Sequence, residues 1–265
     1  MNAETVSAIN TLGRFCGQRD IERPEREMLR ERYGFDQADV FVLFGGSVLE
    51  GGDVLAGVIR EQLARVTVIV GGAGHTTETL RTTVHRAYPD IETAGLPEAV
   101  IFQKYLEKVH GLKADFLETE STNCGNNITN LLELIRNRGI ACRSMILCQD
   151  ASMQKRMDAG FRKHAPNDMT VINYAAYRAV VEEKDGALRY TAPIHGMWDM
   201  DRYVHLLMGE IPRLMDDENG YGPKGKGFIA HTDVPEDVLR AFHVLQDVYG
   251  GKIREANPLY ASSGR

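Results

Sequence analysis

The sequence predicts an α/β fold with a mostly parallel sheet, and two observations predict it. Short apolar runs such as Val40-Phe41-Val42-Leu43-Phe44 and Val68-Ile69-Val70 lack the polar alternation of a half-exposed strand. They suit strands buried on both faces. Those runs also alternate with amphipathic helical patterns across short loops, the order of a βαβ chain with right-handed crossovers. A Rossmann-like, mostly parallel sheet with flanking helices and a C-terminal helical subdomain satisfies both.

Taken in order, residues 1–35 read as N-terminal helices, with Val6, Ile9, Leu12 and Phe15 at helical spacing and a second helix over 25–33 after Pro24. The α/β domain covers 36–178. A strand over 39–44 ends in Gly45-Gly46-Ser47, and a helix over 53–65 leads to a second strand over 67–70. Helices over 77–88 and 97–110 precede a short strand over 114–117. The next helix carries Ile128, Leu131, Leu132 and Ile135, the apolar stripe of a sheet-covering helix. A fourth strand over 144–148 ends at Gln149-Asp150, where Asp150 is placed to cap a helix over 152–164, and a fifth strand covers 169–173. Strand order is not legible at this level.

The rhythm breaks after Tyr174. Residues 179–265 read as a mainly helical C-terminal subdomain, with a hairpin around Asp185-Gly186 and a helix over 199–208. Asp233-Val234-Pro235-Glu236 has capping-box spacing and opens a helix to about residue 249. The tail over 257–265 is polar and reads as frayed. Residues 221–227, within the glycine-rich stretch 216–227, read either as a mobile lid with Lys224 and Lys226 facing a ligand or as a plain surface connection.

Composition narrows the function classes. A formal net charge of −6 argues against nucleic acid or an anionic membrane as the main partner. No apolar stretch approaches the ~18 residues of a membrane span. Cys16, Cys124, Cys142 and Cys148 show no C-x-x-C pairing, which points to cytoplasmic thiols. The expected partner is a small-molecule ligand, and the oligomeric state is not legible.

The stretch around which the chain is organised is Thr67-Val68-Ile69-Val70-Gly71-Gly72-Ala73-Gly74-His75-Thr76-Thr77-Glu78. Its glycines allow a tight turn and close backbone approach, and Thr76 or Thr77 is placed to cap the following helix. It is not a complete dinucleotide fingerprint, since Thr stands where the third glycine belongs. In an open parallel sheet ligands bind beyond the carboxyl ends of the strands. The loops falling there supply Gly45, Gly46 and Ser47; Gly72, Gly74, His75 and Thr76; Glu120, Ser121, Thr122, Asn123 and Asn126; and Gln149 and Asp150, with Met153 and Arg156 one turn on. Each is also a cap or turn residue by type, but four such loops together point to a site. His75, Glu120 and Asp150 are the acid–base candidates, and Arg156 is placed to meet an anionic group. Replacing Gly72 or Gly74 by Val is expected to abolish ligand binding in a folded protein. No G-x-S-x-G, H-E-x-x-H or G-x-x-x-x-G-K-[ST] pattern occurs, and no metal ligands are assigned.

The combination of FGGS, VGGAGHTT, ESTNCGNN and CQDASMQKR after four successive strands, with GEIPRLMDDENGYGPKGKGFIAHTDVP near the C-terminus, resembles the ElyC/SanA/YdcF family over nearly the whole chain. The resemblance implies a Rossmann-like domain followed by a helical part, and S-adenosylmethionine as ligand. It implies no settled reaction. This chain carries Asn126-Asn127 where the family usually has Glu-Asn, and no residue supports methyl transfer. Two functional readings stay open: a binding protein for S-adenosylmethionine or a related nucleotide, and an enzyme acting on a phosphorylated or nucleotide-linked metabolite.

Overall fold

The computed structural model describes residues 3–74 and 76–250. Five parallel strands form the central sheet in the order β3-β2-β1-β4-β5, with β1 at Ala38–Phe44, β2 at Ala64–Val70, β3 at Phe116–Glu118, β4 at Ser144–Cys148 and β5 at Thr170–Asn173. The α/β, Rossmann-like expectation is therefore met. The chain moves outward from β1 to β3, then crosses back to place β4 on the other side of β1. That reversal parts the loops after β1 and β4 and opens a crevice between them.

The unbroken apolar runs are explained by burial on both faces. Along β1, Phe41 and Leu43 join the larger core, beneath α3 (Glu50–Glu61) and α5 (Glu98–Tyr105). Val40, Val42 and Phe44 point the other way, into a second core with Ile128 and Leu131 of α6 (Cys124–Asn137) and Met157 and Phe161 of α7 (Gln154–His164). Successive strand residues alternate between faces, so a strand covered on both sides needs apolar residues at every position. α4 (Thr77–Ala87) adds Leu80 and Val84 to the larger core.

Several boundaries differ from the sequence reading, each for a local reason. α3 stops at Glu61 because Gln62 turns left-handed (φ 52°), so Ala64 and Val66 pair with β1 instead of extending the helix. α5 passes into a π-helical turn over Leu106–His110, closed by Gly111 at φ 68°. Asp150 does not cap α7 through its side chain; Met153 holds the cap position, and the Asp150 backbone carbonyl accepts from Met153 and Gln154. Asp233 does not cap its helix either, for Oδ1 meets His231 Nε2 at 2.9 Å and Pro235 takes the cap position.

The C-terminal part holds the hairpin β6–β7 (Val181–Lys184, Ala187–Tyr190), turned by Asp185 and Gly186 at positive φ, as a tight two-residue turn requires. α8 (Met200–Leu214) and α9 (Glu236–Tyr249) follow, and α1 (Ala3–Cys16) packs against both. The N-terminal helix is thus part of the C-terminal layer. The polar tail over 257–265 lies outside the described residues. No helix among the described residues is long and apolar enough to cross a membrane.

Candidate functional site

Beyond the carboxyl ends of the central strands the chain places two buried carboxylates on either side of Gly45-Gly46, Asp150 on the β4 side and Glu98 on the β2 side. A Cβ on Gly46 would sit 2.5 Å from Asp150 Oδ2, and one on Gly45 would collide with Glu98 Oε2. Only glycine lets the β1 loop pass between them. Asp150 is 5% exposed and Glu98 6%, and neither has an ion pair among the described residues. Burial pushes each acid up to about 7. For Asp150 the nearby Glu98 charge adds to the rise, while the Ser47 backbone N–H (3.5 Å) and the more distant Arg202 oppose it. For Glu98 the rise persists although Thr77 and Thr76 donate to Oε1 at 2.8 and 3.0 Å.

Those two threonines change the meaning of the glycine loop. Neither caps α4 through its side chain; both hydroxyls are turned onto Glu98. The carboxylate at the start of α4 is therefore the protein's own. Backbone bonds from Glu98 N to Gly72 O (2.9 Å) and from Ala99 N to Gly71 O (2.8 Å) hold α5 against the loop.

The remaining expected residues fall into three groups. Gly45, Gly46, Ser47, Gln149 and Asp150 converge: Gln149 donates from Nε2 to Gly45 O at 3.1 Å and accepts from the Asp150 N–H at 2.7 Å. The β3 loop instead stabilises itself. Ser121 Oγ receives the Gly72 N–H at 3.1 Å, while Asn123 and Asn126 form a reciprocal cap on α6 (3.0 and 2.8 Å) joined by Thr122. Glu120 is exposed; the buried acid of this loop is Glu118, whose Oε1 gathers the N–H groups of Glu120 and Ser121 and the Asn130 amide. Gly74 is open enough for contact, since a Cβ there would meet Thr122 O at 3.3 Å, whereas at Gly72 it would strike the Ser121 and Thr119 carbonyls. The third group lies off the crevice. Arg156 is locked to Glu210 of α8, with Nη2 to Oε1 at 3.0 Å and side-chain exposures of 12% and 2%. Met153 is half-buried at the head of α7. His75 lies outside the described residues.

The sequence reading passed over Glu98, Trp198 and Arg202. Glu98 follows Pro97 in a first helical turn, where an acid reads as an ordinary complement to the helix dipole. Trp198 closes the crevice from above, donating from Nε1 to Ser47 Oγ at 2.8 Å, and Arg202 stands beside it with its guanidinium 5.7 Å from the indole. The stretch 216–227 is not placed over this crevice. It is knit by its own backbone bonds and packs on α7, where Ala230 N meets Ala159 O at 2.9 Å.

The assembly combines two buried acids, a glycine loop that passes between them and a roof drawn from another part of the chain. The four cysteines are free thiols. No protein-family model matches the chain.

Proposed function

We propose that the protein binds a small molecule of the S-adenosylmethionine type at the carboxyl edge of the sheet, with Glu98 and Asp150 selecting its positive charge. The observation that carries this reading is the pair of buried acids flanking Gly45-Gly46, neither in an ion pair among the described residues. Two carboxylates whose ionisation is opposed by burial gain most from a cation brought against them, because it favours the ionised form of each. A sulfonium or ammonium centre supplies that charge without a metal. The family resemblance supports the same ligand class.

The test compares S-adenosylmethionine with S-adenosylhomocysteine, which lacks the methyl group and the sulfonium charge. Calorimetric titration is expected to show S-adenosylmethionine binding at least about tenfold tighter, a difference of ~1.4 kcal/mol. The preference should disappear in Asp150→Asn. Absence of binding by both ligands, or equal affinity for the two, would sink the proposal.

A second reading is favoured by the same acids. Burial pushes both acids up to about 7, where each exchanges a proton readily, the condition for one to act as acid and the other as base. In an enzyme acting on a nucleotide-linked metabolite, Glu98 would then partner Asp150 in the role expected of Glu120. Turnover of candidate ligands by wild type, lost in both Glu98→Gln and Asp150→Asn, separates this reading from simple binding.

A further inference from the structure

A cleft of about 630 Å³ lies between α4 and the segment entering α8, within the ~300–1,000 Å³ range of small-molecule sites. One wall carries Thr79, Thr82 and Arg86 of α4; the other carries His195, Trp198 and Arg202. Arg202 Nη2 donates across the seam to Thr79 Oγ1 at 3.2 Å. Arg86 is exposed on the same face of α4, two turns further along, with no ion pair among the described residues. The acids of the cleft are engaged: Asp199 Oδ1 receives the Arg202 backbone N–H at 2.8 Å, and Glu78 is paired with Arg81.

The floor makes this more than a groove. His195 Nδ1 lies 2.7 Å from Asp53 Oδ2, and Asp53 Oδ1 also accepts the Tyr105 hydroxyl at 2.5 Å and His110 Nε2 at 2.7 Å. Burial by itself would raise the Asp53 acid, but these three hydrogen bonds outweigh it and hold the group below its ordinary range. An ionised Asp53 can only accept, so it takes the Nδ1 hydrogen of His195 and turns Nε2 toward the cleft. That nitrogen is only loosely met, 3.5 Å from the Tyr88 hydroxyl, and the side chain is 34% exposed to the cleft. Reciprocal bonds fix the backbone: His195 N to Glu50 Oε2 at 3.0 Å and Glu50 N to His195 O at 3.1 Å.

The geometry points to this cleft as a binding site for a small hydroxylated molecule bearing an anionic group of phosphate or carboxylate type. Arg86 and Arg202 meet the charge, since guanidinium groups match the planar spacing of such oxygens. The Thr79 hydroxyl, which accepts from Arg202, keeps its own hydrogen to donate beside them. His195 Nε2 accepts from a ligand hydroxyl, and Asp53 is the positioning residue that sets its tautomer and aim.

Trp198 is the chain's single tryptophan and stands between this cleft and the acid pair, so its emission detects binding and the Arg86 and Glu98 variants tell the two places apart. Titration with glucose 6-phosphate and with gluconate forms the two anionic arms, and glucose the uncharged one. Either anion is expected to change the emission saturably while glucose does not. Arg86→Ala, at an exposed position, should retain the fold and weaken the response by about tenfold, the scale of one charge-assisted contact. His195→Asn keeps a donor toward Asp53 but loses the Nε2 acceptor, and should weaken binding of the hydroxylated anions. Glu98→Gln, which alters the acid pair at Gly45, should leave the response in place, so failure at that crevice and failure here are distinguishable. No response to either anion, an equal response to glucose, or undiminished binding in Arg86→Ala overturns the proposal.

Discussion

Trp198 Nε1 donates a 2.8 Å hydrogen bond to Ser47 Oγ, fastening the C-terminal part of the chain onto the loop after β1. Ser47 is fully buried and Trp198 is 7% exposed, so the indole N–H has no access to water if the serine oxygen is removed. Ser47→Ala should therefore destabilise by ~1–3 kcal/mol, the cost of a buried unsatisfied donor. Urea unfolding followed by tryptophan emission checks this, and an unchanged midpoint would mean the roof is not held by this bond.

The acid pair predicts a pH dependence of stability. Asp150 and Glu98 ionise near pH 4 when unfolded but near 7 when folded. Between those values the folded state binds more protons than the unfolded, so these groups make stability fall as pH rises from about 4 to about 7, with no further loss above. Asp150→Asn removes one such group and should flatten the slope, leaving the apo variant more stable than wild type at pH 8 by on the order of 1–3 kcal/mol. Melting temperatures of both proteins from pH 4 to pH 8 decide it.

The two loop glycines should behave differently, contrary to the equal treatment their sequence context suggests. At Gly72 an added Cβ strikes two backbone carbonyls, one of them Thr119 O at 2.7 Å, and backbone cannot step aside as a side chain can. Gly72→Ala is expected to cost ~1–3 kcal/mol or more through overpacking. At Gly74 the nearest atom is Thr122 O at 3.3 Å, a contact relieved by a shift of a few tenths of an ångström, so Gly74→Ala should cost less than Gly72→Ala. Thermal melts of the pair suffice; equal destabilisation would contradict the difference in packing.

Arg156 and Glu210 join α7 to α8 as a buried ion pair. Removing one partner leaves the other charge stranded, which typically costs ~3–5 kcal/mol. Arg156→Met is expected to lower stability by that order, and Arg156→Met with Glu210→Met to recover part of it. Denaturant midpoints of the single and double variants form the cycle. A single variant as stable as wild type would return Arg156 to the list of ligand contacts.

Residues 221–227 should be protected from hydrogen exchange without any ligand. Tyr221 N bonds to Arg213 O at 3.0 Å, Lys226 N to Gly220 O at 2.9 Å and Gly227 N to Gly222 O at 2.9 Å. Gly220, Gly222 and Gly225 serve this close packing, each having backbone or Asp216 atoms where a Cβ would go. Exchange of these amides at the rate of an open loop would restore the mobile-lid reading.

The sequence by itself determined the class of fold and the place of the crevice. Short apolar runs with no polar alternation, bounded by glycine, read as strands covered on both faces, and the glycine-bearing loops after them mark the carboxyl edge. Gly45, Gly46, Ser47, Gln149 and Asp150 were legible because each sits next to its own strand. Their function there was not. Tertiary structure alone decided that Glu98, in the first turn of a helix after β2, takes the hydroxyls of Thr76 and Thr77 and so makes the crevice acidic. It also decided that Asp150 turns its carboxylate to Gly46 instead of capping α7, and that Arg156 pairs with Glu210. The physical reason is common to all three. A strand or a cap is specified by residues within a few positions of one another, through periodicity and backbone hydrogen bonding. The partner of a buried charge is chosen by which distant segment the packing of the cores brings against it, and no local pattern records that choice.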